Sequence, residues 1–195
     1  NMVVNNTVVD NSNGILLMQS SNYNTVSNNT VGANTYYGIC LSASNYNTIT
    51  NNTAVSNRMG IYLAYSDQNS ITHNTAKGFY QIYGIHLSNA HNNNIAENFV
   101  GYQGGYAGST FISAYGIILA YSLYNTITRN TALNNSYAGI YIAYSSNNNT
   151  VTNNIVSYGA VKEAVGVIYG SHGIFLSAAN NIVANNTIFN VRNGI

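Results

Sequence analysis

The chain is built from one short motif, Asn-x-[Ile/Val]-x-x-Asn, that returns from one end of the sequence to the other. The copies begin at Asn1, Asn24, Asn47, Asn69, Asn93, Asn125, Asn149 and Asn181. A second phrase, Gly-Ile-x-[Leu/Ile], precedes seven of them and starts at Gly14, Gly38, Gly60, Gly84, Gly116, Gly139 and Gly173. Self-similarity at a period of this length indicates a solenoid, in which each repeat is one coil.

The spacing of the motif predicts a single domain over residues 1–195 with two insertions. Successive copies lie 22 to 24 residues apart, except for two intervals of 32. The extra residues fall near 101–113 and 157–171, in both cases after the second Asn of a motif. Because the two insertions occupy the same phase of the coil, we expect them to emerge as loops from one face. A repeat this continuous argues against an internal domain boundary.

The pattern within one repeat is that of short β-strands. Around Tyr62, which points outward, Ile61 and Leu63 alternate with it and point inward. Apolar residues do not recur at helical spacing, and Gly, Asn and Ser are dense throughout, so helix is disfavoured. A leucine-rich repeat has a similar length, but its spaced leucines and helical segment are missing here. The sequence therefore predicts an all-β, right-handed, single-stranded parallel β-helix of about eight coils, spaced about 4.8 Å apart.

The second Asn of each motif predicts an asparagine ladder along one corner. Asn tolerates the left-handed backbone of a tight corner, and its amide both donates and accepts hydrogen bonds. Stacked amides can therefore bond to one another from coil to coil, with the Ile or Val of the motif packed as a buried column beside them. The predicted ladder consists of Asn6, Asn29, Asn52, Asn74, Asn98, Asn130, Asn154 and Asn186.

Composition excludes several classes of protein. Charged residues are 5% of the chain and the net charge is +1, so nucleic-acid binding by phosphate neutralisation is not expected. Hydrophobic residues are 46% and strictly periodic, which excludes disorder. The single cysteine, Cys40, excludes an intrachain disulfide framework, and no apolar run is long enough to span a membrane. The chain starts at Asn1 without a signal sequence, which indicates a processed protein or a piece of a longer one.

One unit shows which family the chain resembles. Residues 60–63 (GIYL), Ser66 and residues 69–75 (NSITHNT) are similar to the repeat of the NosD-like parallel β-helix family, also described as the carbohydrate-binding and sugar-hydrolase β-helix class. The similarity covers nearly the whole chain. It implies the β-helix fold, but members include polysaccharide lyases, epimerases, a periplasmic copper-enzyme maturation factor and archaeal cell-surface proteins. The Tyr- and Asn-rich, charge-poor composition most resembles the archaeal surface-layer and sheath type.

The acidic residues do not form a predicted catalytic site. Acid–base catalysis on a sugar needs convergent carboxylates, whereas no two of the acidic residues share a column in adjacent coils. These residues are Asp10, Asp67, Glu97 and Glu163. The remaining route to catalysis would use Glu163 and Lys162 in the second insertion. We predict no catalytic residue and no enzyme.

The sequence also predicts no metal site and no cofactor. Cys40 and His86 share the outward position after Gly-Ile, but two coils, or about 10 Å, separate them. That distance is too long for two ligands of one ion. His73 and His91 lie near different corners, and His172 borders the second insertion.

Tyrosine is the excess that calls for an explanation, with 18 residues and no Trp. Tyr62 and Tyr141 occupy the outward position after Gly-Ile, and Tyr65, Tyr121 and Tyr144 stand near the following corner. Tyr23, Tyr46 and Tyr124 each precede a motif Asn. We predict that the first five form a glycan-binding or lateral-contact face, and three interpretations stay open: a platform for sugars, packing against a neighbouring subunit, and cross-coil stacking that stabilises the sheet.

Six sequons mark candidate glycosylation sites at Asn5, Asn28, Asn51, Asn134, Asn148 and Asn185. Four of them precede a ladder Asn. The repeat consensus itself generates Asn-Asn-Thr, so the number of sequons is weak evidence for glycosylation.

Two functional hypotheses follow from these patterns. The first is a non-enzymatic subunit of an extracellular sheath, surface layer or filament, because few charges oppose association and solenoid ends without caps template pairing with another chain. Gly194-Ile195 starts the phrase that the first coil lacks, which predicts head-to-tail stacking as well as lateral contact between copies. The alternative is a carbohydrate-binding or adhesin module that binds cell-surface glycans through the tyrosines and the two insertions, and a lesser alternative is a lyase- or epimerase-like enzyme.

Overall fold

The computed structural model describes residues 1–78, 80–102, 105–107, 110–112, 114–158 and 172–195. Most of the second predicted insertion, including Lys162 and Glu163, lies outside these residues. The described part is all-β and is wound into three long parallel sheets, which confirms the predicted parallel β-helix. None of the described residues forms a helix that could cross a membrane.

Each coil contributes one strand to each sheet, in the chain order sheet 3, sheet 1, sheet 2. Sheet 1 consists of Met2–Val4, Thr25–Ser27, Thr48–Thr50, Ser70–Thr72, Asn94–Ala96, Thr126–Thr128, Thr150–Thr152 and Ile182–Ala184. Sheet 2 consists of Thr7–Val9, Thr30–Gly32, Thr53–Val55, Thr75–Lys77, Phe99–Gly101, Thr131–Leu133, Ile155–Ser157 and Thr187–Phe189. Sheet 3 consists of Asn13–Met18, Tyr37–Ser42, Met59–Ala64, Tyr83–Ser88, Tyr115–Ala120, Ala138–Ala143 and His172–Leu176.

Both insertions fall between a strand of sheet 2 and the next strand of sheet 3. Gly101 and Ser157 are the last residues of sheet-2 strands, so each insertion begins one residue later than predicted. The first insertion is also more than a loop, because Gly105–Ala107 and Thr110–Ile112 pair as an antiparallel hairpin. Strands of three residues are too short to give a recognisable alternation in the sequence.

The interior consists of apolar columns in which each side chain packs on its equivalent in the next coil. In sheet 1, Ile49 lies in register with Val26 on one side and Ile71 on the other, and all three are fully buried. The Ile and Leu of the Gly-Ile phrase form two further columns in sheet 3, such as Ile61 and Leu63. Because coils stack in register, one apolar position in the repeat produces a continuous buried column.

The predicted asparagine ladder is present along the corner between sheets 1 and 2. The Nδ2 of each ladder Asn donates to the Oδ1 of the next at 2.9–3.1 Å, from Asn6 through to Asn186. The backbone N–H of each ladder Asn donates to the same Oδ1 at 2.9–3.0 Å. The ladder members between the two end coils are at most 2% exposed, so these bonds satisfy amides that water does not reach.

The sequence predicts a left-handed backbone at the ladder Asn itself. In the structure, the residue before each ladder Asn has this backbone instead. These residues have φ between 53° and 60°: Asn5, Asn28, Asn51, His73, Glu97, Arg129, Asn153 and Asn185. A left-handed residue bends the chain from sheet 1 into sheet 2, and the side chain that follows it still points inward, as the ladder requires. Three of the eight are not asparagines, so the corner accepts residues that do not favour this conformation.

Two further amide stacks were missed by the sequence analysis. The first Asn of each motif forms a second ladder, in which the backbone N–H groups of Asn24 through Asn149 donate to the Oδ1 of the next copy at 2.7–2.8 Å. A short third stack joins Asn11, Asn34 and Asn57. The recurrence of the first Asn was visible in the sequence, but its inward direction depends on the left-handed residue that precedes it.

Candidate interaction surface

The outer face of sheet 3 carries a continuous series of aromatic rings, which we call the aromatic stripe. In order along the axis, it consists of Tyr37, Tyr62, His86, Tyr83, Tyr115, Tyr141, Phe175 and His172, with consecutive ring centroids 4.7–5.7 Å apart. Two neighbouring columns of the sheet supply these rings. One column holds Tyr62, His86 and Tyr141, and the other holds Tyr83 and Tyr115.

Most rings of the stripe overlap face to face. Tyr37 and Tyr62 are within 8° of parallel, Tyr83 and Tyr115 within 20°, and Tyr141 and Phe175 within 10°. Rings this close and this nearly parallel must be stacked, because coplanar rings meeting at their edges are held further apart by their hydrogens. The ring faces in the stripe are therefore used by neighbouring rings. A sugar-stacking platform needs free ring faces, so the stripe fits the third interpretation, cross-coil stacking.

Burial makes three phenols of the stripe harder to ionise. Burial raises the pKa of Tyr62 and Tyr83, and burial together with the neighbouring phenols raises the pKa of Tyr115 to about 12. Burial also raises the pKa of Cys40, one coil from Tyr62, to about 11. These three phenols and the Cys40 thiol are therefore neutral at physiological pH.

A second tyrosine surface lies on the bend between sheet 3 and sheet 1, and we call it the tyrosine arc. It consists of Tyr23, Tyr46, Tyr65, Tyr121, Tyr124 and Tyr144, which are 45–72% exposed. All six have left-handed backbones, with φ between 45° and 58°. Tyr23 stacks on Tyr46 and Tyr121 on Tyr144, whereas Tyr65 and Tyr124 make no ring contact with another described aromatic residue.

The five predicted tyrosines thus divide between two adjoining surfaces. Tyr62 and Tyr141 belong to the stripe, where three coil steps separate them, and Tyr65, Tyr121 and Tyr144 belong to the arc. Six further members of the stripe were not predicted from the sequence: Tyr37, Tyr83, Tyr115, His86, His172 and Phe175. One sequence feature indicates part of the stripe: an aromatic residue or histidine directly precedes Gly in four of the seven Gly-Ile phrases.

His86 is a neutral imidazole built into the stripe. Its ring packs on Tyr62 and Tyr83, its Nδ1 is buried without a hydrogen-bond partner, and burial lowers its pKa to about 4. The unfolded imidazole takes up its proton near its ordinary value of 6.5, whereas the folded one does so only near 4. We therefore expect the unfolding free energy to fall by about 3 kcal/mol as the pH drops through this window.

Urea unfolding at pH 7.5, 5.5 and 4 measures this loss, and the His86→Phe variant is the control. Phe keeps an aromatic ring at the site but cannot be protonated, so the variant should lose most of the pH dependence between 6.5 and 4. An unchanged pH dependence in the variant would show that another group is responsible.

The described carboxylates are dispersed and two of them have structural partners. Glu97 accepts hydrogen bonds from Arg129 Nε at 2.8 Å and Nη2 at 2.7 Å, and it lies 2.6 Å from His73 Nε2. The Arg129 hydrogen bond, with further contributions from His73, holds the pKa of Glu97 below its usual value. Asp67 accepts the backbone N–H of His91 at 2.7 Å. No pair of these carboxylates converges on a common point.

The sequons occupy two kinds of position. Asn5, Asn28, Asn51 and Asn185 are exposed left-handed corner residues, and Asn148 is the equivalent residue before the second ladder. Asn134 differs, because it is partly buried, and Ser136 of its sequon is 6% exposed with its Oγ accepting the Ala114 N–H. Glycosylation at these residues stays a prediction.

Comparison with known families and structures gives the following similarities. Residues 1–103 match the family described as periplasmic copper-binding protein (NosD), and residues 81–195 match the family described as right handed beta helix region. No sequence among the curated proteins compared matches the chain significantly.

Several solved structures share the fold. A mutant of the periplasmic alginate epimerase AlgG is 18% identical, with a TM-score of 0.79 over 96% of this chain and 45% of that one. The DFA-IIIase of Arthrobacter chlorophenolicus is 17% identical, with a TM-score of 0.73 over 94% and 48%. The A-module of the Azotobacter vinelandii mannuronan C-5 epimerase AlgE4 is 14% identical, with a TM-score of 0.69 over 96% and 55%. The chain thus spans about half the length of these structures, and the similarity concerns the fold alone.

The described residues do not fit a copper site of the kind that the first family description names. They contain no group of three or more His, Cys, Asp or Glu that could hold a metal ion. Tyr62 lies between Cys40 and His86 in their column, as the predicted two-coil separation requires. The raised pKa of Cys40 also disfavours the thiolate that binds metals.

Proposed function

From the premise that this chain belongs to the NosD and right-handed β-helix family, we propose that it is a non-enzymatic structural protein of the cell surface. It acts as a rigid extracellular subunit of a self-assembling layer, sheath or filament. Copies contact one another laterally through the tyrosine arc, with the aromatic stripe beside it.

The observation that carries this proposal is the exposure of six tyrosines along one bend of the solenoid. Tyrosine is enriched at protein interfaces because its ring buries apolar area while its hydroxyl keeps a hydrogen-bond partner. Stacking and the fixed corner backbone already order four of these rings, which lowers the entropy lost on association. With five Lys and Arg and four Asp and Glu in 195 residues, little repulsion opposes contact between copies.

The arrangement of ionisable groups supports a role without catalysis. Glu97 is held by Arg129 and His73, and Asp67 caps the backbone of the next coil. The strands of sheet 3 carry the stripe but no Asp, Glu, Lys or Arg. A lyase- or epimerase-like activity would have to rely on Glu163 and Lys162, which lie outside the described residues.

A location outside the cytoplasm is consistent with the comparisons. The matched NosD family and the AlgG epimerase are both described as periplasmic. We propose an extracellular location for this chain. Head-to-tail stacking of copies stays a prediction. The electron microscopy of the assembly experiment described below tests it.

Glycan binding is the second candidate, and one observation favours it. The rings of Tyr65 and Tyr124 make no contact with another described aromatic residue, so their faces can accept the apolar face of a sugar. Two of the structural neighbours are named as epimerases of alginate or mannuronan. In this case the arc would bind a cell-surface glycan rather than another copy.

The assembly hypothesis predicts a loss of self-association when the arc is altered. Sedimentation velocity and electron microscopy of the wild type across concentration and salt should show ordered higher species. Tyr65→Gln, Tyr121→Gln and Tyr144→Gln together should weaken association by about tenfold or more, because buried interface tyrosines are frequent hot spots. Gln is compatible with the corner, since Gln19 and Gln68 already adopt left-handed backbones there.

The matched control changes Tyr36, Tyr80 and Tyr102 to Gln. These tyrosines are 49–60% exposed, but they lie on a different bend, between sheets 2 and 3. Association equal to that of the wild type is expected for this control. A wild type that stays monodisperse, or an arc variant that assembles normally, would overturn the assembly hypothesis. A glycan-array signal that is lost on changing Tyr65 and Tyr124 would support the second candidate instead.

A further inference from the structure

Two tyrosine pairs on the arc are both stacked and exposed. Tyr23 and Tyr46 have centroids 4.9 Å apart and planes within 5°, and Tyr121 and Tyr144 have centroids 5.6 Å apart and planes within 20°. All four side chains are at least 45% exposed. The two tyrosines of each pair are 23 residues apart in sequence and lie in adjacent coils.

We propose that these two pairs are sites of oxidative cross-linking, at which dityrosine formation joins adjacent coils of one chain covalently. The proposal does not depend on self-assembly. It rests on the coincidence, in the same two pairs, of short ring separation and solvent access.

The reaction requires a two-electron oxidant, and hydrogen peroxide used by a haem peroxidase is the class we name. Each phenol loses one electron and its hydroxyl proton, which leaves a phenoxyl radical whose spin is shared with the ring carbons next to the C–O bond. The two radicals form one C–C bond between these carbons, and the ring hydrogens move to the oxygens as the rings become aromatic again. Hydrogen peroxide accepts the two electrons and two protons and leaves as two molecules of water.

The geometry favours coupling within a chain over coupling between chains. The two rings are neighbours before oxidation, so their effective concentration exceeds that of tyrosines on separate molecules. Both rings project from corners into solvent, where they can turn from face-to-face stacking to the edge contact that bond formation needs. Within the arc, Tyr65 and Tyr124 lack a ring neighbour among the described residues, so they are left for coupling between chains.

The aromatic stripe contains a matched pair that should not react. Tyr83 and Tyr115 have the same separation, 5.6 Å, and the same angle, 20°, as Tyr121 and Tyr144. They are partly buried within a packed row, so they are shielded from the oxidant and held in place by ring neighbours on both sides. Their pKa values are also raised, that of Tyr115 to about 12, which disfavours loss of the phenol proton.

The test treats the folded, dilute protein with horseradish peroxidase and hydrogen peroxide. Dityrosine fluorescence and tandem mass spectrometry of the digest then identify the linked residues. We expect Tyr23–Tyr46 and Tyr121–Tyr144 links in monomeric chains, and little or no product at Tyr83–Tyr115, because these two rings are partly buried. The linked chains should also unfold at higher denaturant concentration, because each link closes a loop in the unfolded chain.

Conservative variants make each link attributable. Tyr46→Phe and Tyr144→Phe keep the stacked ring but remove the phenol, so each should abolish its own link and leave the other unchanged. Equal product at Tyr83–Tyr115, links found only between chains, or no dityrosine in the wild type would each overturn the proposal.

Discussion

Replacing Asn74 by alanine should cost about 4 kcal/mol of unfolding free energy, because its amide serves three coils at once. Its Nδ2 donates to the carbonyl of Ile49 at 2.8 Å and to the Oδ1 of Asn98 at 3.0 Å. Its Oδ1 accepts the backbone N–H of Asn52 at 2.9 Å and the Nδ2 of the same residue at 3.0 Å. Asn74 is 1% exposed, so water cannot replace these partners, and each buried group left unpaired costs about 1–3 kcal/mol.

The matched control for the ladder is Asn6→Ala. Asn6 makes the same bond to the next amide, but it is exposed, so water can take over its hydrogen bonds. We expect its loss to stay below about 1 kcal/mol. Denaturant unfolding followed by circular dichroism gives both values, and hydrogen exchange of the strands beside Asn74 shows whether the loss is local. Equal losses in the two variants would mean that burial does not set the strength of the ladder.

The Gly38→Ala variant should lose about 3 kcal/mol or more, because a methyl group has no room between coils. A Cβ at Gly38 would lie 2.5 Å from the carbonyl oxygen of Gly60 and 2.8 Å from the Nδ2 of Asn57. The first of these atoms belongs to the backbone of the next coil, which is held by its own sheet hydrogen bonds and cannot move alone. Overpacking of this kind costs typically 1–3 kcal/mol even where side chains can adjust, and more where they cannot.

Gly194→Ala is the control for this effect. It changes the same residue of the same phrase, but a Cβ there would meet nothing within 4 Å. Its unfolding free energy should stay within about 0.5 kcal/mol of the wild type. A similar loss in both variants would indicate that the glycine acts through chain flexibility rather than through the close approach of coils.

The aromatic stripe illustrates why the surface was harder to predict than the core. A period-two pattern states that Tyr62 points outward, but it does not state which ring lies beside it. In the structure, Tyr62 meets His86 of the next coil and Tyr37 of the previous one, and these belong to two different columns. Whether a ring face is free or covered depends on such neighbours, and a pattern within one repeat does not name them.

The sequence by itself determined the solenoid, the buried Ile and Val columns and the ladder from Asn6 to Asn186. It could do so because coils stack in register, which turns every repeated residue into a contact with its own copy. Only the tertiary structure decided where unlike residues meet across coils. It packed Tyr37 of one column against Tyr62 of another, and it put the left-handed conformation before each ladder Asn. It also made Gly38 obligatory through a carbonyl of the next coil. These features depend on distances between coils, which no pattern within one repeat contains.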